Sequence, residues 1–183
     1  WVNASGAVSE NFDGLSEGSY GTYTINGFEI NNGLCSSTNA RSGNAVRLRN
    51  AVSFLEYEGS DGNGKDGGVG EISFWYRAWD SSPTAVLNVK ANINGAGWNN
   101  IGSQISTSST TYSQWTHELN STSDNILIQI EWVSGERLHV DDFSIADYSG
   151  ADVAPPTWTS TYPKAQTEHA SGFDVAVNLN EIG

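Results

Sequence analysis

Apolar and polar residues alternate along most of the chain with a period of two, which is the pattern of β-strands with one buried face. In residues 71–79 one predicted face is apolar and consists of Ile72, Phe74, Tyr76 and Ala78. The opposite face carries two indoles around a guanidinium group and consists of Ser73, Trp75, Arg77 and Trp79. Such a face is costly to leave in water. It therefore predicts either a stacking surface for a sugar ring or a contact with another layer of the protein.

The same alternation recurs in short segments that are separated by turns rich in Gly, Ser, Thr and Asn. In residues 138–145 the apolar positions Leu138 and Val140 are out of phase with Phe143 and Ile145. A β-bulge near Asp141 would bring both pairs to the core. No helical period lasts longer than two turns. The chain is therefore expected to be all-β, an antiparallel β-sandwich or barrel with almost no helix.

The pattern changes after Tyr148. Pro155 and Pro156 cannot enter a central strand, so residues 150–156 are expected to be a linker. One more alternation follows, formed by Phe173, Val175, Val177 and Leu179. Since about 30 residues cannot bury a core of their own, we predict a β-sandwich domain over residues 1–148. Residues 149–183 are expected to be a linker and the truncated start of a second β-domain.

The amino-acid composition argues against several classes of function. The formal charge of −13, with eight Lys and Arg, argues against nucleic-acid binding because phosphate neutralisation needs clustered cations. No apolar run approaches the roughly 20 residues of a membrane span, so no membrane insertion is expected. The single Cys35 cannot form an internal disulfide and is expected to be a small buried residue.

The most glycine-rich stretch, residues 60–70, superficially suggests a calcium loop because it contains Asp61, Asn63 and Asp66. The EF-hand pattern would need an oxygen side chain at position 65, glycine at 66 and glutamate at 72. The chain has Lys65, Asp66 and Ile72 there, which breaks all three requirements. We therefore expect a flexible hairpin loop.

Several short motifs occur in an order that is typical of one group of domains. They are residues 10–14, residues 70–76, Gly97 and Trp98, Trp115, and residues 140–145. They resemble the jelly-roll accessory domains of secreted bacterial proteins, including the choice-of-anchor J type, which are similar to MAM domains and carbohydrate-binding modules. The resemblance covers residues 7–147. Residues 155–181 also resemble the start of an immunoglobulin-like repeat found beside such domains in Bacteroidetes. The resemblance implies a large secreted or cell-surface protein with neighbouring domains.

Two acidic clusters lie at the two ends of the predicted domain: Glu10 with Asp13, and Asp141 with Asp142. First and last strands of a sandwich are often neighbours, and adjacent carboxylates repel unless a cation such as calcium joins them. By the resemblance, a structural calcium is expected at Glu10 and Asp142, with Asp13 and Asp141 as further candidate ligands. The alternative is that these are solvated turn carboxylates.

The predicted outward positions of four strands carry half of the Lys and Arg residues, namely Arg47, Arg49, Arg77 and Lys90. The same outward positions hold Trp75, Trp79, Asn88, Asn92, Gln129 and Glu131. Indoles stack on sugar rings, while guanidinium and amide groups bind hydroxyls or carboxylates in pairs of hydrogen bonds. These ten residues predict one platform for a polysaccharide, and the grouped cations favour an anionic one. The alternative is an ordinary sheet face in which Glu131 pairs with an arginine and the indoles cover aliphatic stems.

The sequence thus favours a non-catalytic carbohydrate-binding module, with an adhesion or structural spacer module as the alternative. Catalysis is disfavoured because, in the predicted domain over residues 1–148, the only neighbouring His–acid pairs are His117 with Glu118 and His139 with Asp141. No nucleophile elbow or metalloprotease helix accompanies them. A jelly-roll polysaccharide-degrading enzyme stays open, since its carboxylates can come from distant strands.

Overall fold

The computed structural model describes residues 6–150 in full and residues 164–169 and 172–176 by their backbone alone. No helix occurs among these residues. The strands of the first part of the chain are β1 (Val8–Glu10), β2 (Gly21–Ile25), β3 (Phe28–Ser36), β4 (Ala45–Leu48), β5 (Phe54–Tyr57), β6 (Val69–Ala78), β7 (Ala85–Ile93), β8 (Asn99–Asn100), β9 (Ile105–Thr107), β10 (Ser113–Ser121), β11 (Ile126–Ser134) and β12 (Leu138–Ile145). All of the strand pairs are antiparallel, as the alternation predicts.

The strands form two layers that are joined through β3. Sheet A has the order β10, β6, β12, β4, and β1 pairs with the second half of β12. Sheet B has the order β2, β3, β5, β11, β7, with β8 and β9 beside β7. The last residues of β3 leave sheet B and pair with β4. At this crossing a Cβ on Gly33 would lie 2.4 Å from Ile30 Cγ2. The close contact between the Gly33 backbone and the Ile30 side chain therefore requires glycine.

The core lies between the two sheets and is almost purely apolar. Its aromatic centre joins the layers: the Phe28 ring of sheet B lies 5.2 Å from the Phe143 ring of sheet A, in an edge-to-face arrangement. Phe143 in turn stacks on Phe74 at 5.8 Å. The predicted inward face of β6 is confirmed, because Ile72, Phe74 and Ala78 are fully buried and Tyr76 packs against the core. Cys35 is buried and free, as predicted.

The predicted bulge in the last strand is confirmed. The pairing of β12 with β6 shifts between Asp141 and Ser144, and Asp142 has a left-handed backbone with φ of 46°. Leu138, Val140, Phe143 and Ile145 are consequently all buried. First and last strands are also neighbours, since Glu10 of β1 lies opposite Phe143 of β12.

The prediction of a flexible hairpin loop over residues 60–70 is wrong. β5 pairs with β3 and β11, whereas β6 pairs with β10 and β12, so the segment between them crosses from sheet B to sheet A. The segment is anchored midway: Lys65 exchanges backbone hydrogen bonds with Ile126. The Lys65 side chain is buried and its Nζ lies 2.5 Å from Asp147 Oδ1. Apolar alternation reveals strands but not their partners, so it could not distinguish a crossover from a hairpin.

The chain divides into two compact units, Trp1–Ser149 and Gly150–Gly183. In the second unit β13 (Lys164–His169) pairs with β14 (Gly172–Ala176), which contains Phe173 and Val175 of the predicted alternation. Val177, Leu179 and the prolines of the predicted linker lie outside the described residues. The immunoglobulin-like identity of this unit stays a prediction. Within the described residues, no helix has the length and hydropathy needed to cross a membrane.

Candidate ligand-binding face

The ten residues predicted to form one platform lie on two opposite faces, which corrects that prediction. Arg47, Arg49, Arg77, Trp75 and Trp79 belong to β4, β6 and the residues just after them, on the outer side of sheet A. The other five, on β7 and β11, lie on the outer side of sheet B and are Asn88, Lys90, Asn92, Gln129 and Glu131. The core separates the two groups. The alternation along a strand predicts whether a side chain points into the core or away from it. It does not predict which of the two sheets the strand belongs to.

The sheet B group is satisfied internally. Lys90 forms an ion pair with Glu131 at 2.6 Å, so the predicted partner of Glu131 is a lysine rather than an arginine. The remaining members bond to nearby groups: Gln129 to Glu56 at 2.9 Å, Asn88 to Gln104 at 2.9 Å, and Asn92 to the Gly97 amide at 3.0 Å. Burial raises the pKa of Glu56, although its hydrogen bond from Gln129 opposes this. Among the residues that the structure describes, this face therefore offers no free cation to a ligand.

The sheet A group is larger than predicted, because it includes all five arginines of the chain. Its central row crosses three strands, with His139 opposite both Arg77 and Arg47. We use the name arginine face for the set Arg41, Arg47, Arg49, Arg77, Arg137, Trp75, Trp79, Tyr20, Tyr112 and His139. Arg137 could have been found from the sequence, since it shares the outward phase of His139. Tyr20 and Arg41 could not, because they come from loops.

Guanidinium groups cover the aromatic rings of this face. Arg47 Cζ lies 3.7 Å from the centroid of the Trp79 ring, and Arg49 Cζ lies 3.6 Å from that of Tyr20. Trp79 is additionally approached by Arg137, at 5.1 Å. Such stacking fixes each guanidinium plane while leaving its edge N–H groups available to a ligand. The predicted role of the indole changes accordingly: it positions an arginine instead of presenting a bare ring.

The loop between β3 and β4 closes one end of the face. The Asn39 carbonyl accepts a hydrogen bond from the Tyr112 hydroxyl at 3.0 Å and lies 3.3 Å from His139 Nδ1. Arg41 Cζ lies 4.2 Å from the Trp75 ring centroid. Trp75 is consequently half-buried, like Trp79, and neither indole is an exposed stacking platform.

Three of the five arginines have no acidic partner. No carboxylate oxygen of a described residue lies within 4.0 Å of Arg47, Arg49 or Arg77, although the chain has 21 Asp and Glu against eight Lys and Arg. Arg77 donates to two backbone carbonyls, at 3.0 and 3.4 Å. Arg41 pairs with Asp142, and Arg137 with Glu136 and Asp80. The face therefore carries a local positive charge in a strongly acidic protein.

His139 is uncharged and lies between Arg47 and Arg77 in the central row of the arginine face. It is fully buried, its Nε2 accepts a hydrogen bond from Arg47 Nε at 3.0 Å, and Nδ1 faces the Asn39 carbonyl. Burial, followed by the charge of Arg47, lowers the pKa of His139 to about 3. Nδ1 is therefore the protonated nitrogen, which donates to Asn39. The imidazole contacts an arginine and a carbonyl and not Asp141, so the neighbouring carboxylate does not act on it as a catalytic partner.

The four predicted calcium ligands separate into different surroundings. Among the described residues no three His, Cys, Asp or Glu side chains are grouped to hold a metal. Asp13 accepts from the Asn44 amide at 2.7 Å. Asp141 accepts from the amides of Arg41 and Asp142, and burial, chiefly, raises its pKa to about 6.

Glu10 and Asp142 do share one pocket. It has a volume of about 460 Å³ and is lined by Ser9, Glu10, Asn11, Asn26, Asp142, Phe143 and Ser144. Glu10 is 5% exposed, and its carboxylate accepts from the Phe12 amide at 2.6 Å and from Asn26 at 2.7 Å. Phe12 has φ of 60°, an uncommon conformation for an aromatic residue. This pocket offers carboxylate and amide oxygens, which are among the donors that calcium prefers.

Comparison with known proteins shows which solved structures have a similar fold. No protein-family model and no curated protein matches this chain. The CBM22-1 xylan-binding domain of Paenibacillus barcinonensis Xyn10C is 15% identical with a TM-score of 0.57, over 82% of this chain and 100% of that one. The K2 cleaved adhesin domain of Lys-gingipain is 14% identical with a TM-score of 0.55, over 76% and 99%. The C-terminal family 22 carbohydrate binding module of Clostridium thermocellum Xyn10B is 11% identical with a TM-score of 0.53, over 80% and 98%.

These likenesses confirm the predicted all-β jelly-roll sandwich. At such identities they establish the fold alone, which hosts many functions. A more specific membership, in the choice-of-anchor J or MAM type, stays a prediction.

Proposed function

We propose that residues 1–148 form a non-catalytic carbohydrate-binding module that holds an acidic polysaccharide on the arginine face. The observation that carries the proposal is the set of three guanidinium groups without a carboxylate partner. Grouping Arg47, Arg49 and Arg77 on one sheet face is unfavourable unless something anionic binds there. The structural likeness to xylan-binding domains supports a polysaccharide as the carrier of that negative charge.

The charge distribution supports an acidic ligand over a neutral one. A neutral glucan or xylan needs stacking and hydroxyl hydrogen bonds, but Trp75 and Trp79 are half-buried beneath arginines. Uronate or sulfate groups instead match guanidinium edges, which bind them in pairs of hydrogen bonds. The net charge of −13 repels such a ligand, so only the local patch can attract it. Lys90 and its neighbours on sheet B face away from this surface and take no part.

The test is binding of the purified chain to a panel of polygalacturonate, a sulfated galactan and neutral xylan, by affinity electrophoresis and calorimetry. Retardation by at least one acidic polysaccharide supports the proposal. Arg77→Ala should weaken that binding. Lys90→Ala removes the same charge from the opposite face and serves as the matched control. Binding that requires Lys90 and tolerates Arg77→Ala would move the site to sheet B.

A protein-adhesion or spacer module is the second candidate, and the likeness to the gingipain adhesin domain favours it. In that case the arginines hold their own indoles in place and no polysaccharide is retained. A catalytic His139–Asp141 pair is disfavoured by the bonding of His139 to Arg47 and Asn39. The module is proposed to act in a secreted or cell-surface protein, beside neighbouring domains.

A structural calcium belongs to the same proposal. Glu10 and Asp142 would be its carboxylate ligands, since they line one oxygen-rich pocket and no Lys or Arg lines it. Arg41 already pairs with Asp142 Oδ2, which leaves Oδ1 for the metal. Asp13 and Asp141 are engaged with backbone amides and are weaker candidates. Calcium there would neutralise a buried carboxylate and tie β1 to the bulge of β12.

A further inference from the structure

Tyr20 brings a hydroxyl group into the arginine face and leaves it without a partner. Tyr20 immediately precedes β2, and its ring lies beneath the Arg49 guanidinium at 3.6 Å. Among the described residues, its hydroxyl is the one buried side-chain nitrogen or oxygen atom that has no hydrogen-bond partner. Buried polar atoms are nearly always paired in folded proteins, so this exception requires an explanation.

The charged groups close to that hydroxyl are hydrogen-bond donors. The Tyr20 phenol neighbours Arg47 and Arg137, and guanidinium groups only donate hydrogen bonds. The acceptor nitrogen of the arginine face, His139 Nε2, is already occupied by Arg47 Nε. A phenol can accept from a guanidinium, but its own proton then still needs an acceptor.

Arg47 is the fixed part of this arrangement and Arg49 the accessible part. The Tyr20 hydroxyl has almost no accessible surface in the free protein, so a ligand reaches it only when the side chains that cover it move aside. Arg47 is 7% exposed; its Nε donates to His139, and its guanidinium also approaches the Tyr20 hydroxyl, to which it can donate. Arg49 is exposed and bonds to Asn32 Oδ1 at 3.2 Å. Neither has a carboxylate partner among the described residues. The cluster therefore has unused N–H donors around an unpaired O–H donor, which an oxyanion would complete.

We infer that the Tyr20 hydroxyl, Arg47 and Arg49 form a subsite for a carboxylate or sulfate group of the bound polysaccharide. The inference rests on the proposed function and adds the position and the chemistry of the charged contact. An oxyanion accepts from the phenol and from both guanidinium groups, whereas a sugar hydroxyl brings a donor of its own into a site already rich in donors. The subsite thus selects acidic over neutral glycans.

The sharpest variant is Tyr20→Phe, which removes only the hydroxyl oxygen. Because this atom has no partner in the free protein, the variant should melt at or above the wild-type temperature. Its affinity for the preferred acidic polysaccharide should fall about tenfold, since a hydrogen bond to an anion is lost. The affinity for neutral xylan, if any, should not change. Opposite effects on stability and on binding are expected for a ligand contact and not for a structural hydroxyl.

Two further variants and two ligand arms complete the test. Arg49→Gln should weaken the same binding, whereas Lys90→Gln, with the same change of charge on the opposite face, should not. Polygalacturonate supplies carboxylates and a sulfated galactan supplies sulfates, so the ligand that depends on Tyr20 identifies the anion.

The possible failures are distinguishable. Unchanged acidic-polysaccharide binding by Tyr20→Phe, or a clear loss of its thermal stability, overturns the subsite and leaves the carbohydrate-binding module standing. Binding of neutral xylan by the wild type as tightly as of the acidic polysaccharides does the same. Absence of any polysaccharide binding overturns both proposals. Binding of poly-glutamate alone would assign the subsite to an acidic protein partner instead.

Discussion

Acidification should destabilise the protein through His139, because the folded state keeps this imidazole neutral. The pKa of His139 is about 3 in the folded protein and about 6.5 in an unfolded chain. Between these two pKa values, His139 binds a proton in the unfolded state but not in the folded state. The stability that comes from neutral His139 is therefore complete above pH 6.5 and is lost as pH falls toward 3.

At pH 5 the unfolded state gains about 2 kcal/mol from this protonation, relative to neutral pH. Asp141 acts in the opposite direction, since burial raises its folded pKa to about 6 and makes its charged form unfavourable at neutral pH. The two effects must therefore be separated by a variant. His139→Gln keeps an acceptor for Arg47 and does not titrate, while Asp141 is unchanged in it.

The assay is urea unfolding of wild type and His139→Gln at pH 7 and pH 5, followed by tryptophan fluorescence. Between the two pH values, wild type should lose about 2 kcal/mol more than the variant, which corresponds to a relative shift in melting temperature of about 4–8 °C. Equal pH dependence in the two proteins would refute the reasoning. So would an NMR titration that places the folded pKa of His139 near its ordinary value.

Three other outcomes are expected. Binding of the preferred acidic polysaccharide should weaken clearly between low and physiological salt in calorimetry, because exposed charges are screened; salt-insensitive binding would contradict the charge argument. Chelation of calcium should lower the melting temperature of wild type and leave Glu10→Gln unaffected, and an unchanged melting temperature together with no metal in the purified protein would remove the calcium site. Asp147→Asn should destabilise more than Lys65→Met in urea unfolding, since the first leaves the buried Lys65 ammonium without its 2.5 Å partner; the reverse order would show that water already compensates this charge.

Local alternation predicted a large part of the fold. The inward face of β6 and the bulge at Asp141 follow from a period of two and from the mismatch around it, which are properties of one strand. The alternation does not predict which outward-facing residues share a sheet, because Arg47 and Lys90 both point outward but lie on different sheets. Tyr20 was missed because its position comes from a loop, whose path depends on tertiary contacts rather than on periodicity.

The position of β12 has a consequence for how the chain acquires its structure during synthesis. β12 is the last strand of the sandwich to leave the ribosome, yet it occupies the middle of sheet A, between β6 on one side and β4 and β1 on the other. Until Leu138–Ile145 emerges, β6 and β4 keep open hydrogen-bonding edges that invite pairing with other chains. Export of the chain in an unfolded form, with folding delayed until the whole domain is present, would protect these edges. The same topology makes any nascent chain that stalls before Leu138 a candidate for aggregation.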